Sequence, residues 1–396
     1  MKRFFFLVSI IIIVSCSDDN NINSETTQTQ DQNATLDFSN ILDIDFSSLF
    51  NYNDQYIPVY ITKDNTPAGN PITNEAATLG RVLFYDKNLS VNNTIACASC
   101  HKQELAFGDN NSVSPGIDGV TGRHSMRLIN TRFSNENRFF WDERANSLEA
   151  QTTMPIQDHI EMGFSGENGD LNFNDLITKL ENTSYYPDLF NFAFGSEEIS
   201  EFRIQNALSQ FIRSIQSFDS KYDDGRLLAN NDAQPFTNFT AQENQGKQLF
   251  LQPANFNNQG VRISGGIGCA GCHQAPEFDI DPNTLNNGII GTASGIGTDF
   301  TNTRSPSLRD VVKIDGTANG QFMHIGVSSN LITVLNHYDV INTNGNPNLD
   351  PRLRPNGIGQ QLNMTQTEKD AVIAFLNTLA GANVYTDEKW SDPFIN

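Results

Sequence analysis

Two pentapeptides carry the chemistry of this chain: Cys97-Ala98-Ser99-Cys100-His101 and Cys269-Ala270-Gly271-Cys272-His273. Cys-x-x-Cys-His is the attachment pattern of a c-type haem. Two thiols at this spacing can add to the two vinyl groups on one porphyrin edge. The adjacent imidazole then lies beneath the ring and donates a nitrogen to the iron. A thioredoxin-like redox pair has no need of a His directly after it, twice. A zinc ribbon could use two Cys pairs, but not pairs so far apart in the chain. Of the five cysteines, only Cys16 lies outside the two motifs. Two haems on one chain make electron transfer the first activity to consider.

Cys16 belongs to the start of the chain. Met1-Lys2-Arg3 is basic, and Phe4 to Val14 is apolar but too short to span a bilayer. Ser15-Cys16 closes the stretch in the manner of a bacterial lipoprotein signal over 1–16, with Cys16 lipidated. An ordinary signal peptide with an incidental Cys is the alternative. Covalent haem attachment occurs outside the cytoplasm, so both features require export. The expected address is lipid-anchored, on the periplasmic side of the outer membrane or, given Ser17-Asp18-Asp19, at the cell surface.

The length of 396 residues is enough for two haem-bearing domains and a tether. A formal net charge of -21 excludes a nucleic-acid binder, which needs a basic face. The same charge suits a basic partner such as a small electron carrier.

The elements that hold the two motifs are mainly helical. Residues 17–70 read as a flexible tether and N-terminal extension: Ser17 to Asn33 is almost wholly polar, and Leu36 to Ile61 has apolar residues that could drape over the body. A haem domain is expected over 71–235. It opens with Thr73 as N-cap and Ala76, Leu79, Val82 and Leu83 at helical spacing. Leu148 to Met154, Phe173 to Leu180 and Glu201 to Phe218 read as further helices, the first broken by Pro155. A second haem domain is expected over 236–382, opened by the capping box Thr240-Ala-Gln-Glu243 and closed by a helix from Lys369 to Leu379. Residues 383–396 form a tail. No alternating strand pattern stands out. The class is mainly α, two cytochrome-c-like haem domains with long loops, and the shared order of a Leu-Phe helix end before Cys-x-x-Cys-His suggests a duplication.

Further landmarks give the chain a family likeness. Leu79-Gly80-Arg81-Val-Leu83-Phe84-Tyr-Asp86, Phe140-Trp141-Asp142-Glu143-Arg144, Leu148-Glu149-Ala-Gln151, Glu161-Met162-Gly163, Ser305-Pro306-Ser307-Leu308-Arg309 and Phe322-Met323-His324-Ile-Gly326 follow one another in order. With the two haem motifs, they make the chain resemble the bacterial dihaem cytochrome c peroxidases and their MauG-type relatives over about residues 75 to 380.

The resemblance implies reduction of hydrogen peroxide to water at the N-terminal haem. Electrons would arrive through the C-terminal haem from a small c-type cytochrome or copper protein. His101 and His273 would be the proximal iron ligands. Glu161 matches the distal acid–base group, which burial would tune toward neutrality. Gln151 matches a pocket glutamine, and Trp141 the tryptophan between the haems. A homodimer remains open. The alternatives are a MauG-like enzyme that oxidises residues of a protein substrate, and a non-enzymatic dihaem electron carrier.

Three departures from the family pattern matter. Pro115 falls about where many peroxidases have a His that caps the N-haem iron, so that iron is expected to be open; His124 is the rival ligand. His124 replaces an Asn of the family's calcium site, and the usual Thr and Pro near Asn319 and Gln321 are also missing. Calcium prefers oxygen donors, so these residues speak against it. Fourteen residues after His324, where peroxidases carry an axial Met, stands Tyr338, as in MauG-type proteins. Tyr338 is the first choice of axial ligand at the second haem, with Met323 and His337 as alternatives.

Overall fold

A glycine at a helix crossing organises each half of the molecule. In the first half, α1 (Asn74–Tyr85) crosses α6 (Glu201–Ser214) at Gly80. A Cβ at Gly80 would stand 2.0 Å from the Ala207 carbonyl oxygen. In the second half, α8 (Ala241–Leu251) crosses α10 (Gln366–Asn377) at Gly246, where a Cβ would stand 1.8 Å from the Ala371 carbonyl. Only glycine lets the backbones approach this closely.

A phenylalanine triad fills the space behind each crossing. Phe84 meets Phe107 and Phe211 at centroid distances of 5.9 and 5.2 Å. Phe250 meets Phe278 and Phe375 at 5.7 and 5.3 Å. Both Phe107 and Phe278 have left-handed backbone, with φ of 60° and 53°. The repeat extends to Phe140 and Met323, with φ of 69° and 67°, each inside a loop closed by a short backbone bridge. It extends also to Asn130 and Asp310, with φ of 55° and 52°.

The computed structural model describes residues 36–395 apart from 136, 281 and 344. The signal at 1–16, Cys16 and residues 17–35 of the tether lie outside the described residues. The remaining helices are α2 (Cys97–Cys100), α3 (Leu148–Thr153), α4 (Phe173–Glu181), α5 (Tyr186–Phe194), α7 (Lys221–Leu227) and α9 (Leu331–Asp339). Sheet is confined to two-stranded antiparallel ribbons: β1 (Pro115–Gly116) with β2 (Gly119–Val120), β3 (Ala254–Phe256) with β4 (Arg262–Gly265), and β5 (His273–Gln274) with β6 (Asp279–Ile280). The molecule is thus helix-rich with long loops, as the periodicity predicts.

Two helix ends differ from expectation. Helix α6 stops at Ser214 rather than Phe218. Ile215 turns extended, and residues 215–217 pair with Asn130 instead: Asn130 N donates to the Ile215 carbonyl, and Ser217 N donates to Asn130 Oδ1. Helix α10 begins at Gln366, because the Thr365 capping box forms its first turn rather than preceding it.

Both ends of the described chain are pinned to the body. The N-terminal extension is ordered by Tyr52, fully buried, and by Tyr60, whose Oη donates to Asp223 Oδ1 at 2.6 Å. Lys63 reaches Asp279 at 3.0 Å and Glu277 at 3.2 Å. The C-terminal tail lies on α1: Tyr85 Oη donates to the Trp390 carbonyl at 2.7 Å, and Arg81 Nε to the Ser391 carbonyl at 2.6 Å.

Candidate haem sites

The first Cys-x-x-Cys-His opens onto a cavity of about 740 Å³. Cys97, Cys100 and His101 line it, and so do Gln151, Glu161 and Trp141. The loop after α2 returns on itself, so that His101 Nδ1 meets the Phe107 carbonyl at 3.1 Å. That bond anchors the ring through Nδ1, the kind of backbone support expected of a metal-bound His.

Glu161 is held by its backbone. Its N–H and that of Ile160 donate to Asp158 Oδ1 at 3.0 and 2.9 Å. The β1–β2 ribbon docks alongside, Ile117 N donating to the Glu161 carbonyl at 3.2 Å. The side chain faces the cavity, and burial raises its carboxyl to about 7, Asp158 adding to the rise and Arg144 opposing it. Gln151 reaches the same cavity from α3. Pro115, at the position of the expected ligand loop, also lines it and offers no ligating atom.

The second motif opens onto a narrower cavity of about 130 Å³, lined by Cys269, His273, Met323 and Tyr338. Its walls include Leu331, Val334, Leu335 and Leu376, an apolar lining. His273 Nδ1 faces the Phe278 and Pro306 carbonyls without an aligned hydrogen bond to either. Tyr338 is half-buried; desolvation pushes its phenol up, with the neighbouring Cys272 and Cys269 adding to the effect and a hydrogen bond from Asn287 opposing it. His337 Nε2 is engaged 2.9 Å from the Asn287 carbonyl. Of the three axial candidates, Tyr338 and Met323 therefore share the His273 cavity, and His337 is committed elsewhere.

The donor chemistry fits a covalently held haem at each place: thiols at the attachment spacing, an imidazole beside them, and an apolar aromatic surround. Among the described residues no cluster of three or more His, Cys, Asp or Glu forms a conventional metal site.

Between the two cavities lies a junction. Trp141 lines both, as do His124, Arg127 and Arg304. Trp141 Nε1 donates to the His124 carbonyl at 2.7 Å, and His124 N donates to the His324 carbonyl at 2.9 Å. His124 Nδ1 is itself 2.9 Å from the Asn111 carbonyl, so this residue is tied at three points. The Trp141 and His324 rings lie 6.2 Å apart. Trp141 follows Phe140 as His324 follows Met323, so the two rings are counterparts across the repeat. The sequence pointed to Trp141 and missed its counterpart; the shared Phe-x-aromatic order was the available signal.

The family model described as di-haem cytochrome c peroxidase matches residues 74–232. The methylamine utilization protein MauG of Methylorubrum extorquens is 30% identical over 324 residues, 79% of this chain and 80% of that protein. The chain belongs to the dihaem cytochrome c peroxidase and MauG family. The cytochrome c551 peroxidase of Nitrosomonas europaea is 25% identical over 314 residues, 78% of this chain and 81% of that protein. A crystal structure of a MauG-like protein associated with microbial copper homeostasis superposes with a TM-score of 0.63 at 27% identity, covering 86% of this chain and 99% of the other. Membership in this dihaem family accounts for two haem motifs in one chain. Both peroxidases and MauG proteins are among the relatives, so the family alone leaves the reaction between those two.

Proposed function

We propose that the chain is an exported dihaem cytochrome c peroxidase, with haem c held by Cys97, Cys100 and His101 in the half spanning 71–235 and by Cys269, Cys272 and His273 in the half spanning 236–382. The repeated glycine crossing, phenylalanine triad and left-handed Phe support two cytochrome-c-like halves. A haem bound at the first site supplies the Lewis-acidic iron and the electrons for peroxide reduction.

The observation that carries the reading is a near-neutral carboxyl, Glu161, facing the cavity that His101 lines. Reduction of hydrogen peroxide to two waters consumes two protons and two electrons. Glu161 takes the proton from one peroxide oxygen and returns a proton to the other; a carboxyl titrating near 7 can do both at neutral pH. Gln151 orients the peroxide by hydrogen bonding. With Pro115 in the loop and His124 tied to Asn111, the distal side is left open to substrate. Trp141 bridges the two cavities as the electron path from the second haem. The -21 charge suits a basic cytochrome or copper protein as donor. The signal at 1–16 supplies export and Cys16 the membrane anchor. Calcium has no part in this reading.

The second reading, MauG-like oxidation of a protein substrate, is favoured by one observation: Tyr338, in the His273 cavity, is the axial candidate that would lower the second haem's potential. Steady-state turnover of peroxide with reduced cytochrome c decides between them. The first reading expects turnover and a high-spin ferric signal in the oxidised protein's electron paramagnetic resonance spectrum. Two low-spin haems inert to peroxide would leave an electron carrier.

A further inference from the structure

Arg127 is a cation with no anionic partner among the described residues. Its side chain is half-buried and lines both cavities. Among the described residues no carboxylate comes within ion-pair distance of it. Among these residues its Nε is shielded from solvent without a hydrogen-bond partner, and its Nη1 reaches the Asn319 carbonyl only at a long 3.4 Å. Burial lowers its affinity for the proton, with only the more distant Tyr385 and Asp310 opposing. Tyr385 Oη at 2.9 Å and Gly381 N at 2.8 Å both donate to Asp310 Oδ1, and neither oxygen of Asp310 comes within ion-pair distance of Arg127. The neighbouring cations differ: Arg123 is paired with Asp142 at 2.7 Å and Asp299 at 2.6 Å, and Arg144 with Asp142 at 2.9 Å.

Arg127 lays its stem against Gly108, but the corresponding position in the second half shows that this kind of loop does not require an arginine. Ser125-Met126-Arg127-Leu128 corresponds to Ser305-Pro306-Ser307-Leu308, and two residues on from each Leu comes a left-handed residue, Asn130 or Asp310. The second half fills the equivalent place with Ser307, whose Oγ donates to the Glu277 carbonyl at 3.1 Å. The fold therefore needs only a small polar residue at this point. An arginine there brings a full charge out of water, which is tolerable only beside an anion. The groups that the two cavities are built to receive carry carboxylates of their own, the haem propionates, and guanidinium binds carboxylate in a fixed fork.

We propose that Arg127 holds haem propionate at the junction of the two cavities and thereby raises the reduction potential of the haem or haems it touches. This rests on the reading that each cavity holds a haem. A fixed positive charge near the iron favours the reduced state, so its removal lowers the potential.

The test is a redox titration of each haem in purified holoprotein, comparing wild type with Arg127→Ser, Arg127→Gln and Arg127→Lys. In the Ser and Gln variants at least one midpoint should fall by a tenfold change in the one-electron equilibrium, about 59 mV. Arg127→Lys, which keeps the charge, should retain most of the wild-type value. Unchanged midpoints in the neutral variants, or an equal fall in the Lys variant, overturn the proposal. Should the neutral variants fail to mature, resonance Raman spectra of the wild type decide: propionate bending bands at the hydrogen-bonded position support the assignment, and bands at the solvated position overturn it. Haem stoichiometry is measured separately by pyridine haemochrome. Fewer than two haems in the wild type would sink the dihaem reading, whatever the potentials show.

Discussion

The Trp141 indole and the His124 backbone are joined by a 2.7 Å hydrogen bond at the wall shared by the two cavities. The bond fixes the plane of an aromatic ring that touches both sites. In the proposed mechanism that ring carries charge between the haems. Trp141→Phe should keep both haems and slow peroxide turnover at least about tenfold, a barrier increase of roughly 1.4 kcal/mol. Stopped-flow absorbance that resolves re-reduction of each haem is the check; wild-type exchange rates would remove Trp141 from the path.

Glu161 should give the pH profile its shape. Its carboxyl titrates near 7, so the proton-accepting form is lost below that pH and complete above it. Turnover at limiting peroxide is expected to rise as pH passes upward through about 7. Glu161→Gln should retain both haems, flatten that rise and cost about 10²- to 10⁴-fold in rate. A Gln variant with the wild-type profile would assign the titration to another group.

The Arg309–Asp223 pair governs stability. Its atoms lie 2.9 Å apart, and both side chains are buried. Arg309 also donates to the Pro276 carbonyl at 2.9 Å, in the turn that follows His273. Burial pushes the Asp223 carboxyl up, but Arg309, Ser220 and Tyr60 together hold it below the usual range. The pair's contribution is thus present above the ordinary carboxylate pKa and is lost as pH falls through the depressed one. Asp223→Asn leaves a buried guanidinium uncompensated and should cost about 3–5 kcal/mol, read from urea unfolding at neutral pH. A loss below about 1 kcal/mol, the range of exposed pairs, would show that the pair is solvated in solution.

Chelation should leave the protein unchanged. His124 brings an imidazole where calcium would want oxygen, and the Thr and Pro usual near Asn319 and Gln321 are absent. Dialysis against a calcium chelator should alter neither the haem spectra nor the turnover. Reversible loss of activity that calcium alone restores would prove the opposite.

What could be read in advance follows from how local the signal is. The haem motifs, the Thr240 and Thr365 capping boxes and the α6 stripe are written in neighbouring residues, and each is found. Glu161 could be located only through its motif, because its elevated pKa comes from burial that no short segment displays. Helix α5 was missed: it is rich in aromatics and has Pro187 near its start, where proline reads as a break but is tolerated. Helix α9 was missed for its β-branched residues, which favour strands in isolation. The role proposed for Arg127 could not be read in advance, because it rests on no carboxylate of the described residues lying within ion-pair distance, and that is a property of the folded chain alone.

The docking of Trp390 and Ser391 on α1 has a consequence for how the molecule comes into being. Helix α1 is completed by residues that follow it by about three hundred positions, Arg81 and Ser391 being 310 apart in the chain. Until those residues dock, Arg81 and Tyr85 lack these acceptors and the outer flank of α1 stays bare. The half that carries the first cysteine pair therefore closes fully only once a contact of very long sequence separation has formed, and contacts of that kind form slowly.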